Sequence, residues 1–422
     1  MPWGESITVT MAVGYLTNQF TLDDPVLGLL DGQGVLDGNL LGIDVTEYVQ
    51  DVSIRRGRSS ELDAFEAGTA SITLNNNDRR FDPINTSSPY WDVTTGRSGV
   101  QPRRDVVVFS DNQAIFHGAI TDIFIEYNGD LSTATFSCSD DFSVLSNTNI
   151  STTFTPSVEI AGNRVTTILD LPEVDYPLTD RSISVAGKDL GAYEITAPQT
   201  VLPYLQQIAI SDNAFLFMSR DGKITYTAPS GNIWFYDVEA EFYDDVNPLP
   251  AGGINYTSIS TITDQTFLYN QVVVGTEATV ADTSFNDTTS QAAFGISSLD
   301  RTGLLLDQES DALALGLELV TKYAYPVYRF DDMEFVVNGM LTASRQNLCT
   351  LELVDGVKVT RTFAVGTPST VEGYYQVERI EHQITPTDHR VIIGLGDLKT
   401  VVYPLTLDDP VYGLLTPTNV LT

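Results

Sequence analysis

Three histidines, two cysteines and 56 carboxylates are the groups in this 422-residue chain that could do chemistry. His382 and His389 flank a short turn beside Glu381 and Asp388. A metal held between them is one reading. The other is an ordinary hairpin, where cross-strand neighbours of this kind are common without any ligation. Cys138 and Cys349 stand far apart without metal spacing and read as reduced core residues, with a disulfide left open. His117 has no motif around it. The chain carries no H-E-x-x-H helix, no G-x-S-x-G elbow and no phosphate-cradling G-x-x-x-x-G-K-[ST] loop. Asp31-Gly32-Gln33-Gly34 lacks the alternating acidic ligands and closing Glu of a calcium loop, so it reads as a turn. A glycosidase needs two carboxylates about 5 to 9.5 Å apart, and nothing in the sequence marks such a pair. The expectation is a protein that is not an enzyme and holds no metal or cofactor.

Composition points to strands and contacts. Charged residues make up 18% of the chain, and aromatics, with 19 Tyr and 19 Phe, make up 10%. Such a mix favours strands and turns over surface helices. The aromatics could line a saccharide groove, and they suit strand cores and subunit interfaces equally well. The net charge of −34 is unevenly spread. Between Arg55 and Arg104 there are 8 basic and 6 acidic residues, whereas the remainder holds 14 basic and 50 acidic. So acidic a surface repels nucleic acid, because phosphate binding requires Lys and Arg. No apolar run approaches the ~18 residues of a membrane span. The opening MPWGES lacks the basic and apolar regions of a signal peptide. Assembly in a cytoplasm, with no lipid anchor, is expected.

The elements that would have to position any site are organised around residues 52–104. Val52 and Ile54 alternate with Ser53 and Arg55, and Ala70, Ile72 and Leu74 alternate with Thr69, Ser71 and Thr73. Period-2 patterning of this kind makes two half-buried strands. The Asn75–Asp78 run and Pro83 then force a turn. The arginines of this stretch, Arg55, Arg56, Arg58, Arg79, Arg80, Arg103 and Arg104, read either as a contact with an acidic neighbour or as a solvated basic loop. Further strands are expected at Ser6–Val13, Asp105–Phe109, Ala114–Ala119 and Ile123–Tyr127. The last of these turns through Asn128-Gly129-Asp130 into Leu131–Cys138. Helices are expected at Gly162–Leu171 and Gln199–Ile210. The second should bury Val201, Leu205, Ile208 and Ala209, and an Asp221-Gly222 hairpin follows it. An acidic, aromatic stretch at Trp234–Pro250 reads as a linker or exposed rim. Strands resume at Tyr256–Ile262 and Tyr269–Gly275. The strongest helix pattern is Asp307–Lys322, with Asp307 as cap and Leu313, Leu317 and Val320 as its buried stripe. A long hairpin, Gly373–Ile384 with His389–Leu395, ends the region.

A near repeat joins the two ends of the chain. TLDDPVLGLL at Thr21 returns as TLDDPVYGLL at Thr406, with nine of ten positions identical, and Val35-Leu36 returns as Val420-Leu421. Each copy sets an apolar patch after an Asp-Asp-Pro turn, Val26, Leu29 and Leu30 in one and Val411, Leu414 and Leu415 in the other. The copies are either equivalent parts of two related β-domains or two identical docking ledges.

The order of these elements resembles a known family. A strand ending in Arg-Gly-Arg, a strand reading Thr-Leu-x-Asn, then Asp-Arg-x-Phe-Asp-Pro, is similar to minor tail proteins of long-tailed actinobacteriophages, most of all the tail-tip hub. The phrase VVFSDNQAIFHGAITDIFIEY, the helix–helix–hairpin order of residues 162–228 and the LYNQVVVGT strand fit the same pattern. The resemblance implies a mainly β fold with a smaller α+β part: two related β-barrel domains (1–150 and 251–405), an inserted α+β domain with acidic linker (151–250) and a C-terminal tail (406–422). It implies a structural virion protein at the tail tip, three copies of which set six barrels in a ring around the DNA channel. Its partners would be copies of itself, distal-tail or tail-tube ring proteins, and other minor tail and fibre proteins. Genomic DNA would pass through the lumen without specific binding. A hexameric distal-tail ring and a peripheral protein that binds host cell-wall glycan are the rival roles.

Overall fold

The computed structural model describes residues 7–12, 42–93, 95–228, 238–244, 249–250, 252–263, 265–278, 281–397, 403–404 and 419–420. Strand patterning dominates it. Val49–Gly57 buries Val52 and Ile54 and exposes Ser53, and Glu66–Asn75 buries Ala70, Ile72 and Leu74 between exposed or half-buried hydroxyl residues. The two pair antiparallel, Ser53 opposite Ser71. The expected strands at 114–119 and 123–127 are one 16-residue strand, Gln113–Asn128. A register shift between Ile120 and Asp122 absorbs the break in the pattern there. The strand turns through Gly129, at φ +63°, into Leu131–Ser139.

One 14-stranded sheet runs through the first and third regions. Its hinge is the 16-residue strand Thr370–Thr385. That strand pairs with Gly356–Thr362 along its first half and with Val49–Gly57 along its second. Its other side carries Asp388–Asp397, the second half of the expected terminal hairpin. The β regions therefore join edge to edge, and the described strands do not close either one separately. Val238–Tyr243, inside the stretch expected to be a linker or rim, is a strand parallel to Gly356–Thr362, because its alternating Ala240 and Phe242 have a core to enter.

Between the β regions lie helices Ala161–Leu169 and Val201–Asp212 and the hairpin Phe215–Met218/Ile224–Thr227. Val201, Leu205, Ile208 and Ala209 are all buried, as their spacing predicts. The helix ends at Asn213 in the left-handed conformation, which Asn tolerates. These helices share one hydrophobic core with the third region, whereas the first region has its own around Ile54, Ile72, Phe81, Phe116 and Phe136. Residues cross over in both directions: Phe65, Phe142, Leu145 and Ile150 enter the larger core, and Cys349 and Ile384 the smaller.

The helix expected at 307–322 is Glu309–Tyr323. Asp307 does not cap it. Gln308 takes that position, and the Asp307 carboxylate accepts from the Gln308 side chain instead. The buried face is Ala312, Leu315, Gly316, Leu319, Val320 and Tyr323, while Leu317 is 57% exposed. Gly316 sets this phase, since a Cβ there would lie 2.7 Å from the Phe285 ring and 2.9 Å from Val274. The helix packs where it has no side chain, so closeness to the sheet outweighs the larger apolar residue.

Candidate interaction surfaces

The arginine stretch divides by position on the strand. Arg56 is two residues beyond Ile54 and therefore shares the inward phase of Val52 and Ile54. It is 3% exposed, and its guanidinium donates to Glu352 Oε1 at 2.6 Å. The other oxygen of Glu352 accepts from the Arg220 backbone N–H at 2.7 Å, in the middle-region hairpin. One carboxylate thus ties together the first, middle and third regions. Asp140 is buried close by and accepts from the N–H groups of Gly68 (2.6 Å) and Phe142 (3.1 Å). Burial pushes its pKa up to about 7 against those hydrogen bonds and the Arg56 charge. Asp355, which accepts from the Glu352 N–H at 2.8 Å, is likewise pushed up to about 7 by burial.

Arg58 makes the second junction. Gly57, at φ +117°, lets the chain pass so close to the neighbouring strand that a Cβ would lie 2.2 Å from the Glu378 carbonyl oxygen. Arg58 then turns inward and grips the Glu378 carboxylate with Nε and Nη2, the latter at 2.9 Å. It also donates to the Asp63 carbonyl at 3.0 Å and lies over the Phe65 ring, 4.6 Å from its centroid. On the same loop, Glu61 accepts from Lys322 Nζ at 2.7 Å and from the Tyr323 hydroxyl. Burial alone would raise the Glu61 carboxyl, but Lys322 and Tyr323 hold it below the ordinary value. A cleft lined by Arg58, Glu61, Phe65, Phe215, Arg301 and Tyr323 opens here. Arg56 and Arg58 are therefore withdrawn from any surface contact. Two charges so deeply desolvated persist only with partners inside the chain.

The other arginines behave differently. Arg55, in outward phase, binds Glu66 at 2.9 Å on the sheet surface. Arg79 sits at φ +61° and forms an ion pair with Asp82 at 2.6 Å. Arg80 pairs with Asp78 at 2.6 Å and lies 3.8 Å from the Tyr48 ring centroid. The turn they occupy is held by Asn76, whose side-chain oxygen accepts from the Phe81 N–H at 2.9 Å. Arg103, at φ +66°, is exposed, and Arg104 is half-buried beside it. Val26, Leu29, Leu30, Val411, Leu414 and Leu415, the apolar patches of the terminal repeat, lie outside the described residues.

His382 and His389 do face each other across the hairpin, Nδ1 to Nε2 at 3.1 Å, and both are buried. Burial, the His389 ring and Arg56 hold His382 well below its ordinary pKa, so the His382 ring is held neutral. Among the described residues, no group of three or more His, Cys, Asp or Glu could hold a metal. Both cysteines are free and buried, and burial pushes the Cys138 thiol up to about 12. Sequence reasoning did not single out Glu61, Glu352, Glu378 or Arg164. Arg164 is fully buried and donates to Glu159, the Tyr204 hydroxyl and the carbonyls of Ser157 and Gly191. An arginine inside an apolar helical stretch was the one available signal for it.

Among the described residues, one sheet face that is exposed or half-buried runs across eight strands from both β regions. Register aligns Ser258, Glu334, Ile392, Glu381, Arg55 and Thr69 in one row. The next row is Arg390, Gln383, Ser53, Ser71, Ser137 and Asp122. Hydroxyls and carboxylates dominate these rows, and the arginines in them are neutralised, Arg55 by Glu66 and Arg390 by Glu334 at 2.9 Å.

These features define a mainly β scaffold with a smaller α+β part, whose buried charges bind its own regions together. No family model matches the chain, and no curated protein matches its sequence. Solved structures share the fold. A 43 kDa tail protein of prophage MuSo2 from Shewanella oneidensis matches with a TM-score of 0.57 at 11% identity, over 93% of this chain and 98% of that one. A tail protein from Neisseria meningitidis MC58 matches with a TM-score of 0.55 at 10% identity, over 94% and 97%. The fold is thus one found in phage-type tail proteins.

Proposed function

We propose that this chain is a structural protein of a phage tail, the central hub of a siphophage tail tip. Three copies would form a ring that continues the tail tube on one side and receives tip and fibre proteins on the other. The observation that carries this reading is the largely polar face shared by both β regions, on which Ile392 and Phe124 are the apolar exceptions. A polar face that none of the described residues seals off needs a reason to stay open, and a channel wall supplies one. Hydroxyl and carboxylate rows with neutralised arginines would let DNA slide past without sticking, since phosphate adhesion requires free cations. The fold shared with tail proteins supports the setting.

Cryo-EM of the assembled particle tests it. The expected map has three copies at the tail tip with Ser53, Ser71, Ser137 and Gln383 facing the lumen. A map with those residues on the outside, or with the channel lined by Lys and Arg, overturns the channel reading. Native mass spectrometry separates three copies from the six of a distal-tail ring.

A further inference from the structure

The cleft where the three regions meet contains a cation that the described fold does not match with an anion. Helix Glu309–Tyr323 supplies Leu315 and Leu319 to its wall, the loop after strand Val49–Gly57 supplies Phe65, and the middle hairpin supplies Phe215. Arg301 enters from strand Ser298–Leu304 and is half-buried. Its guanidinium donates to two backbone carbonyls, Leu62 at 3.0 Å and Asp300 at 3.3 Å. Among the described residues, no carboxylate comes within ion-pair distance of it. Burial pulls its pKa below the ordinary value, and the more distant charges of Asp63 and Asp300 do not offset this. Arg56, Arg58 and Arg164 each meet a carboxylate. A desolvated charge is held by a partner, so Arg301 is placed to receive an anion.

The other charged groups of the cleft do not supply it. Arg58 and Lys322 are engaged with Glu378 and Glu61. Asp63 and Glu318 are exposed, and Glu318 accepts from the Asn213 side chain at 3.3 Å. The free volume is about 70 Å³. A cavity of roughly 150 Å³ houses a benzene, so this one suits a single branched side chain rather than a drug-sized molecule. A peptide that sets an acidic residue beside a short apolar one has the required chemistry.

One such peptide belongs to this chain and is tethered at the cleft. The last strand of the third region ends at Asp397, whose N–H donates to Glu61 at 3.2 Å and whose carbonyl accepts from Lys322 Nζ at 3.3 Å. Glu61 and Lys322 both line the cleft. Asp408, Asp409, Pro410 and Val411 of the terminal repeat begin eleven residues further on. Eleven residues reach about 36 Å, and a short tether presents its end at an effective concentration on the order of millimolar. The other copy of the repeat, at Thr21, follows strand Ile7–Ala12, in the strand pair that ends the 14-stranded sheet.

We infer that the C-terminal tail of this chain seats in the cleft, with a carboxylate of Asp408 or Asp409 on Arg301 and Val411 against Phe65, Phe215 and Leu319. Seated there, the tail adds a further tie between the regions to those made by Arg56 and Arg58.

Hydrogen exchange of the full chain, read by mass spectrometry, tests this. In the wild type the amides of residues 59–65 and of 406–412 should both be protected. The double change Asp408→Asn with Asp409→Asn should speed exchange in both stretches by about tenfold, the scale of one charge-assisted contact. Arg301→Met should do the same. The tail variant keeps the Arg301–Leu62 bond, so it separates loss of the tail from disturbance of the loop. Unprotected amides at 406–412 in the wild type, or a tail variant that leaves 59–65 unchanged, overturn the inference. A cysteine pair, Ala64→Cys with Val411→Cys, should cross-link within one chain on mild oxidation, as read on a non-reducing gel. Cross-links that join two chains overturn the seating of a chain's own tail and give the cleft to the tail of a neighbouring copy.

Discussion

Arg58 and Arg79 come from the same arginine-rich stretch, yet the fold uses them in opposite ways. Arg58 is sealed between strands and binds Glu378, 320 residues away, with two nitrogens. Arg79 binds Asp82, three residues away, on a half-exposed turn. The first pair has left water and holds distant parts of the chain in register. In the second only Arg79 stays in water, over a buried Asp82, and the pair shapes one loop. Charge in the sequence does not separate the two. Burial does, because the cost of an unpaired charge grows steeply as water is removed.

The sharpest test of this contrast is Arg58→Ala. It leaves the Glu378 carboxylate buried without its partner and should cost about 3–5 kcal/mol of stability. Guanidinium denaturation reads this directly. The double replacement Arg58→Met with Glu378→Leu should recover most of the loss, since a well-packed apolar pair of similar volume often matches a buried ion pair. If the single change costs no more than a surface arginine, the junction is not the structural tie described above.

A second test uses pH. Asp140, beside the Arg56 junction, has its folded pKa pushed up to about 7 from 3.8. A carboxyl raised in this way contributes stability fully below its unfolded pKa and loses it as pH rises through about 7. Asp82, paired with Arg79, behaves oppositely. Burial would raise it, but hydrogen bonds from Tyr127 and Arg79 hold it below its ordinary value. Its contribution is present above its unfolded pKa and is lost as pH falls through the lower folded one. Asp140→Asn should therefore flatten the decline between pH 5 and 8 by on the order of 2 kcal/mol, whereas Asp82→Asn should leave that window unchanged. Equal slopes in the wild type and Asp140→Asn would remove the buried-carboxyl account. Smallest of all, Arg79→Ala should cost about 1 kcal/mol, since the arginine is exposed and Asp82 keeps its hydrogen bonds from Tyr127 and the Ile84 N–H, and a loss as large as that of Arg58→Ala would erase the contrast.

Part of this contrast could be read from local pattern. Arg56 continues the inward phase of Val52 and Ile54, so strict alternation already places it in the core. Arg55, out of phase, lands on the surface. The Asn76 turn and the Asn128-Gly129 hairpin followed from side-chain and backbone preferences that act over a few residues. The helix stripe at 309–323 shows where such reasoning stops. Leu317 is the better apolar residue, yet Gly316 faces the sheet, because the approach distance there was set by Val274 and Phe285. The single strand Gln113–Asn128 was divided in two because the irregularity between Ile120 and Asp122 breaks the alternation without ending the hydrogen bonding.

The sequence by itself determined the mainly β character, the main turns, the buried face of helix Val201–Asp212 and the absence of familiar catalytic motifs. These rest on preferences that each residue carries with it. Only the tertiary structure decided that Glu352 would meet Arg56 and Arg220, that Glu378 would receive Arg58, and that two β regions would share one sheet through Thr370–Thr385. Those contacts span hundreds of residues and depend on which strand edges meet, and an edge has no local signature. A carboxylate does not encode its partner; the closing of the fold supplies it.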